Sequence, residues 1–293
     1  MTVPERWSDL GVRVASATVL IVFGVVAVWL GGAFFRFAVV VVVGAMIWEL
    51  AGLTAPQEPF QPQSSPLQAP PLQPSLPQPS LPQPSPPQPS LPQPAIRLGL
   101  AGLSALCLWV FPALGWAGWL LLLVPPAGLL VTPRRDAAVL ASYALALMLA
   151  GVGFMGLRDH GAAVFLWLAT LVVASDTMGY FAGRLLGGPK FWPRISPKKT
   201  WSGTIAGWFG AGLVGLIFAA FGVVPMVYAL LSPLIALASQ LGDIVESWIK
   251  RRAGAKDSSN LIPGHGGVLD RFDALVGAVL ALQLLSFVLA LPQ

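Results

Sequence analysis

The run "VRVASATVLIVFGVVAVWLG", Val12 to Gly31, decides how the rest of the chain is read. Crossing the hydrocarbon layer of a membrane takes roughly 20 mainly apolar residues, and this run has that length with one charge, Arg13, near its head. A secretory leader would sit in the same place. Glu5 and Asp9, however, interrupt its basic region, and the apolar stretch after Arg13 is long for a leader's core. The run is therefore expected to be a retained first membrane helix. Composition agrees, since 56% of the 293 residues are hydrophobic, only 10% are charged and the mean hydropathy is +0.75, outside the soluble globular range.

The same ruler finds nine spans, at about 12–31, 33–53, 96–111, 113–131, 137–157, 161–180, 203–223, 225–242 and 272–291. The expected fold is an all-α polytopic integral membrane protein of about nine transmembrane helices. Lys and Arg accumulate on cytoplasmic loops. With a cytoplasmic N-terminus, Arg36 and Arg158 fall outside and the other 15 of the 17 basic residues fall inside or at the inner boundary. The net charge of +5 is then a topology signal and not a nucleic-acid footprint. Cys107, the single cysteine, lies in an apolar run, which excludes an intramolecular disulfide.

Three regions follow: residues 1–54 with the first two helices, a Pro/Gln/Ser-rich cytoplasmic linker over 55–95, and a catalytic membrane domain over 96–293. In the linker, "PSLPQ" recurs with period five from Pro74. Proline at that density removes backbone donors and favours extended polyproline II, so the segment reads as a spacer with no core of its own.

Two polar inner loops carry the chemistry. The first, "SDTMGYFAGRLLGGPKFWPRISPKKTWSG" from Ser175 to Gly203, opens with Asp176 near a membrane edge. A carboxylate within hydrocarbon costs roughly 2.5–3.5 kcal/mol on insertion scales and usually faces a polar cavity or an ion. Lys198 and Lys199 precede Thr200, Ser202 and Gly203 at the start of the seventh span. Ammonium groups, hydroxyls and free helix N–H groups together suit an anion. That span also repeats small residues at Gly203, Gly207, Ala211 and Gly215, a stripe made for close helix packing in this chain or with a second subunit.

The second loop begins in "QLGDIVESWIKRR", Gln240 to Arg252, where Asp243, Glu246, Ser247 and Lys250 fall at i, i+3, i+4 and i+7 and so share one helix face. Carboxylates there suit a hard cation such as magnesium shared with substrate phosphates. Beyond it, "KDSSNLIPGHGGVLDRFD", Lys256 to Asp273, sets Pro263, Gly264, Gly266 and Gly267 around His265. This is a tight turn expected to bring backbone N–H groups to a phosphate. Asp270 and Asp273 follow at the start of the ninth helix, where capping alone also favours acids.

From Ser247 to Asp273 the pattern S-x-I-K-R-x4-K-D-x-S-x2-I-P-x-H-G-G-V-x-D-R-F-D runs unbroken, and "SDTMGYFAGR" with "SPKKTW" precedes it. These residues resemble the phosphatidate cytidylyltransferases, or CDP-diacylglycerol synthases, over about 175–273. The proline-rich insert departs from that family's pattern, as does Ser202, where a larger polar residue is expected. The resemblance implies a bacterial inner (plasma) membrane enzyme with its active site at the cytoplasmic membrane boundary. It would join CTP and phosphatidate into CDP-diacylglycerol and pyrophosphate with Mg2+.

On that reading Asp243, Asp270, Lys199 and Arg271 are catalytic, and Asp243 and Asp270 hold the metal. Asp176, Glu246 and Asp273 are the further ligands available to it or to a second ion. Substrate binding falls to Lys198, Lys199, Thr200, Ser202, Ser247, Lys250, Arg251, Lys256, His265, Gly266 and Gly267, His265 on phosphate and not in proton transfer. A dianionic lipid phosphate needs no strong base to attack; the demand on the site is electrostatic. A homodimer is implied by the resemblance and permitted by the small-residue stripe. A related CTP-dependent lipid cytidylyltransferase or lipid kinase, and from another class a transporter with charged helix breaks, are the alternatives.

Overall fold

The computed structural model describes residues 3–53, 93–132, 136–193 and 195–289. Most of the expected linker, residues 54–92, lies outside the described residues. The following helix begins at Gln93, three residues inside the linker's expected end.

The helices are α1 (Val3–Leu30), α2 (Gly32–Leu53), α3 (Gln93–Val110), α4 (Gly118–Leu121), α5 (Val124–Val131), α6 (Ala137–Asp159), α7 (Ala162–Leu186), α8 (Trp201–Ala220), α9 (Met226–Arg252) and α10 (Leu269–Val288). Among the described residues, eight helices are long and apolar enough to cross a membrane by length and composition. A chain in lipid must satisfy its own backbone, and a continuous helix does so within one segment.

The fourth expected span, 113–131, is no single helix. Two 3-10 turns, Phe111–Ala113 and Gly115–Ala117, lead into α4 and α5. Pro112, Pro125 and Pro126 lack the N–H that a continuous ladder needs, and Gly115 adopts φ +53°. A second departure is a short antiparallel hairpin in an otherwise helical fold, β1 (Lys190–Trp192) with β2 (Ser196–Thr200), pairing Lys190 with Thr200 and Trp192 with Ser196.

The core runs through α2, α3 and α6, with Val43, Met46, Ile47, Leu50, Leu108, Leu140, Ala144, Leu147 and Met148 buried. Two contacts fix the ends of this bundle. At one, Arg158 Nε donates to Val28 O (2.6 Å) beside the Gly31 reversal; at the other, Arg252 pairs with Asp136 (2.6 Å). Arg97 lies over the Trp48 ring, 4.0 Å from its centroid, and docks α3 on α2 near the second end.

Small residues set the spacing of the second half. On α8, a Cβ at Gly203 would strike Gly179 O of α7, one at Gly207 would meet Ser175 and Gln240, and one at Gly215 would meet Ser232 and Ala229 of α9. The stripe is thus used within the chain, α8 lying between α7 and α9, while Phe209 and Leu213 point outward. At the crossing of α9 and α10, Gly242 and Gly277 touch backbone to backbone. A Cβ on Gly242 would come 3.1 Å from Gly277 Cα, and one on Gly277 would run into Ala238 O. That contact carries Asp243 and Asp273 towards each other.

Candidate active site

Three carboxylates meet across this crossing: Asp243 and Glu246 of α9 and Asp273 of α10 each offer an oxygen, all within 4.8 Å of one another. Glu246 is 1% exposed and Asp273 is 8% exposed. Glu246 Oε1 has no hydrogen-bond partner, while the Lys250 ammonium stands 2.6 Å from Oε2 and Asp273 accepts from Ala274 N (2.7 Å). A buried carboxylate oxygen without a donor is costly, and a hard divalent cation is a partner that suits it. Tyr143 of α6, also buried, has an unpartnered hydroxyl and interacts electrostatically with all three acids.

Two lysines flank the trio. Lys199 at the end of β2 forms a 2.5 Å ion pair with Asp243 and donates to Gln240 O (3.2 Å). Lys250 bridges Glu246 (2.6 Å) and Asp270 (2.5 Å). Ser247 donates to Asp243 at 3.4 Å, so the four polar residues spaced along α9 do lie on one face.

Asp270 lies outside the trio but adjoins it, its carboxylate against that of Glu246 and against Lys250. Besides Lys250, its carboxylate accepts from Gly267 N (2.8 Å) and Ser258 N (3.0 Å), and Ser258 Oγ lies 3.1 Å from Oδ2. The His-Gly-Gly turn is closed by Ile262 N to Gly266 O (2.8 Å) and His265 N to Ile262 O (2.9 Å), with Gly264 and Gly266 at φ +75° and +84°. The Gly267 N–H expected to face a phosphate thus already serves Asp270. His265 Nδ1 pairs with Ser16 Oγ of α1 (2.8 Å), and Arg271 donates to His265 O (3.1 Å from Nε). Arg251 holds Ala255 O (3.0 Å), and Lys256 is exposed.

Beside the trio opens a cavity of about 480 Å3 whose walls include Asp176, Arg184, Lys190, Lys198, Lys199 and Thr200. The hairpin positions the cations here: β2 ends at Thr200, which caps α8 through Gly203 N (3.3 Å), so Lys198 and Lys199 stand at the head of that helix. The hydroxyls are engaged locally, Thr200 with Ser202 (3.1 Å) and Ser202 with Gly187 O. A second cavity of about 430 Å3, walled by Trp119, Val152, Trp167, Val279 and Leu282, has no carboxylate, ammonium or guanidinium in its lining.

Three participants escaped the sequence reading. Glu49 of α2 is wholly buried and accepts from Val268 N (2.8 Å) and Leu269 N (2.7 Å) at the start of α10. Gln240 links α7 and α8 through Ser175 Oγ (3.2 Å) and Thr204 O (3.3 Å). Tyr143 is the third. Glu49 had a signal, an acid inside the apolar run 33–53, of the same kind that marked Asp176.

The profile of the cytidylyltransferase family matches residues 85–289. Proteins named phosphatidate cytidylyltransferase are similar to this chain. The Brucella abortus one is 46% identical over 140 residues, 47% of this chain and 52% of that protein. The one from Helicobacter pylori is 42% identical over 146 residues, 47% and 54%. In Haemophilus influenzae the figure is 44% over 127 residues, 41% and 44%. The chain thus matches about half the length of these curated relatives. With the family profile spanning most of the sequence, including every residue of the acidic trio and its lysines, this chain belongs to the cytidylyltransferase family.

Proposed function

We propose that the protein is a phosphatidate cytidylyltransferase that makes CDP-diacylglycerol and pyrophosphate from phosphatidate and CTP. The observation that carries this is the juxtaposition of the trio Asp243, Glu246 and Asp273 with a cavity walled by Lys190, Lys198, Lys199 and Arg184. A phosphate oxygen of the lipid bonds to the α-phosphorus of CTP, and the bond from that phosphorus to the oxygen bridging the β-phosphate breaks. Pyrophosphate leaves with the bonding electrons. The lipid phosphate is largely dianionic at neutral pH, its second pKa being about 6 by analogy with phosphoserine, so the chain need not supply a strong base.

Its task is to bring two polyanions together. Lys190, Lys198 and Arg184 line the cavity and would take the nucleotide phosphates, while Lys199 and Lys250 hold Asp243, Glu246 and Asp270 in place. Asp243, Glu246 and Asp273 would hold Mg2+. When bound, it neutralises phosphate charge as the leaving group departs.

The site lies at one end of the bundle, which leaves the diacyl tails of a substrate in the bilayer. Lys190, Lys198, Lys199, Arg251 and Arg252 gather at this end and Arg158 stands at the other. That distribution supports a cytoplasmic site by the positive-inside rule, in the inner membrane of a bacterium such as those holding the relatives. The reading extends to a homodimer; because α8's small residues are used within the chain, cross-linking in bilayers should fall on another face.

Purified full-length protein in detergent, given CTP, phosphatidate and Mg2+, should release pyrophosphate and form CDP-diacylglycerol without any gradient. Release of CDP with a phosphorylated lipid would replace this reading with a kinase, and no turnover of either kind would overturn it.

A further inference from the structure

We infer that Glu49, on a helix outside the signature, is a positioning residue that sets the first turn of α10 and, through Ser258, the carboxylate of Asp270. Glu49 is 0% exposed, and its two oxygens are used symmetrically. Oε1 accepts from Val268 N (2.8 Å) and Ser259 Oγ (2.6 Å), and Oε2 from Leu269 N (2.7 Å) and Ser258 Oγ (3.1 Å). The two N–H groups open α10, so a buried negative charge sits at the positive end of that helix. The helix then carries Asp270 and Asp273 in its first turns.

Ser258 continues the connection. Its hydroxyl lies 3.1 Å from Glu49 Oε2 and also 3.1 Å from Asp270 Oδ2, while its backbone N–H donates to Asp270 (3.0 Å). Asp270 meets Lys250 (2.5 Å), and Lys250 meets Glu246 of the trio (2.6 Å). One chain of polar contacts therefore runs from α2 to the acids. Gly267 marks how tightly it is built: a Cβ there would strike Ser258 Oγ and come 2.7 and 2.8 Å from the two Glu49 oxygens.

Glu49→Gln tests the role with little change of volume. Whichever way the amide is turned, its NH2 faces one backbone N–H and one hydroxyl. The hydroxyl can rotate away, but the N–H cannot, so one buried donor loses its acceptor. Partners of this kind behind a first layer of ligands typically matter by about 10- to 100-fold, and that is the expected fall in kcat. KM for CTP should stay unchanged, because the cavity lysines stand on the hairpin. Glu49→Asp, which keeps both acceptors, should recover part of the loss, and Ser258→Ala added to Glu49→Gln should cost less than the two losses combined.

The inference rests on the proposed reaction, so a second readout is independent of turnover. Deuterium exchange at the Val268 and Leu269 amides should speed up in Glu49→Gln. If the wild type does not turn over CTP and phosphatidate, the function reading fails and exchange alone judges Glu49: unchanged protection would overturn its role. With an active wild type, the role is overturned by normal kcat in Glu49→Gln, by a rise in KM alone, or by an equal kcat loss in a Met46→Ala control of the same α2 core matched in thermal stability.

Discussion

Replacing Lys250 with methionine tests whether the ammonium between Glu246 and Asp270 is chiefly structural. Its side chain is 11% exposed, against 1% for Glu246 and 6% for Asp270, so both ion pairs are in the buried regime. There, removing one partner leaves a charge with no compensation, at a cost of about 3–5 kcal/mol. At about 2–4 °C per kcal/mol for a domain of this size, that corresponds to a melting point lower by on the order of 6–20 °C. Methionine keeps the aliphatic stem, so little packing is lost. Thermal unfolding of the detergent-purified protein, followed by fluorescence of its tryptophans, reads the effect. Adding Glu246→Gln should restore part of the stability by removing one stranded charge, without restoring turnover. A single variant that melts with the wild type, or a double variant no more stable than the single, would refute the reasoning.

Asp243→Asn, Asp273→Asn and Glu246→Gln should each lower turnover by on the order of 100-fold or more, and pairs of them should lose little more than the worst single, because ligands of one ion fail together. Divalent-cation titrations check this, and a variant with a normal titration is not a ligand. Lys198→Ala and Lys199→Ala should both weaken use of CTP, with Lys199→Ala the more severe in kcat because Asp243 also loses its 2.5 Å partner; steady-state kinetics against CTP separates the two effects. Gly277→Ala should lower both stability and activity, because its methyl would collide with Ala238 O and push Gly242; a variant that melts and turns over normally would show that the crossing can relax.

What the sequence made legible follows from the range of each interaction. The long crossings announce themselves by length alone, and the polar face of α9 by its spacing, which groups Asp243, Glu246, Ser247 and Lys250. The break over 111–131 was signalled by Pro112, Gly115, Pro125 and Pro126, but hydropathy averaged over a window is blind to the continuity of a helix. The hairpin over Lys190–Thr200 looks like loop in the sequence because each strand is too short for an alternating pattern. Asp270 and Asp273 could not be told apart from their i, i+3 spacing. Which of them joins Asp243 and Glu246 depends on the rotation of α10, set by its contact with Gly242, while Asp270 meets α9 through Lys250. Glu49 was invisible as a partner of Val268 and Leu269 because 219 and 220 residues separate them.

The glycine crossing has a thermodynamic consequence. Asp243 and Glu246 belong to one helix and Asp273 to the other, so a cation gripping all three is a cross-link over the α9–α10 seam. Where Gly242 meets Gly277, backbone touches backbone, and the Lys250–Asp270 ion pair spans the same seam. Ligand binding then adds directly to the cohesion of this helix pair, by about 2.7 kcal/mol at a concentration one hundred times the dissociation constant. With a cation on the trio, this seam is the place where occupancy of the site becomes mechanical strength. Chelation should loosen it ahead of the α2–α3–α6 core.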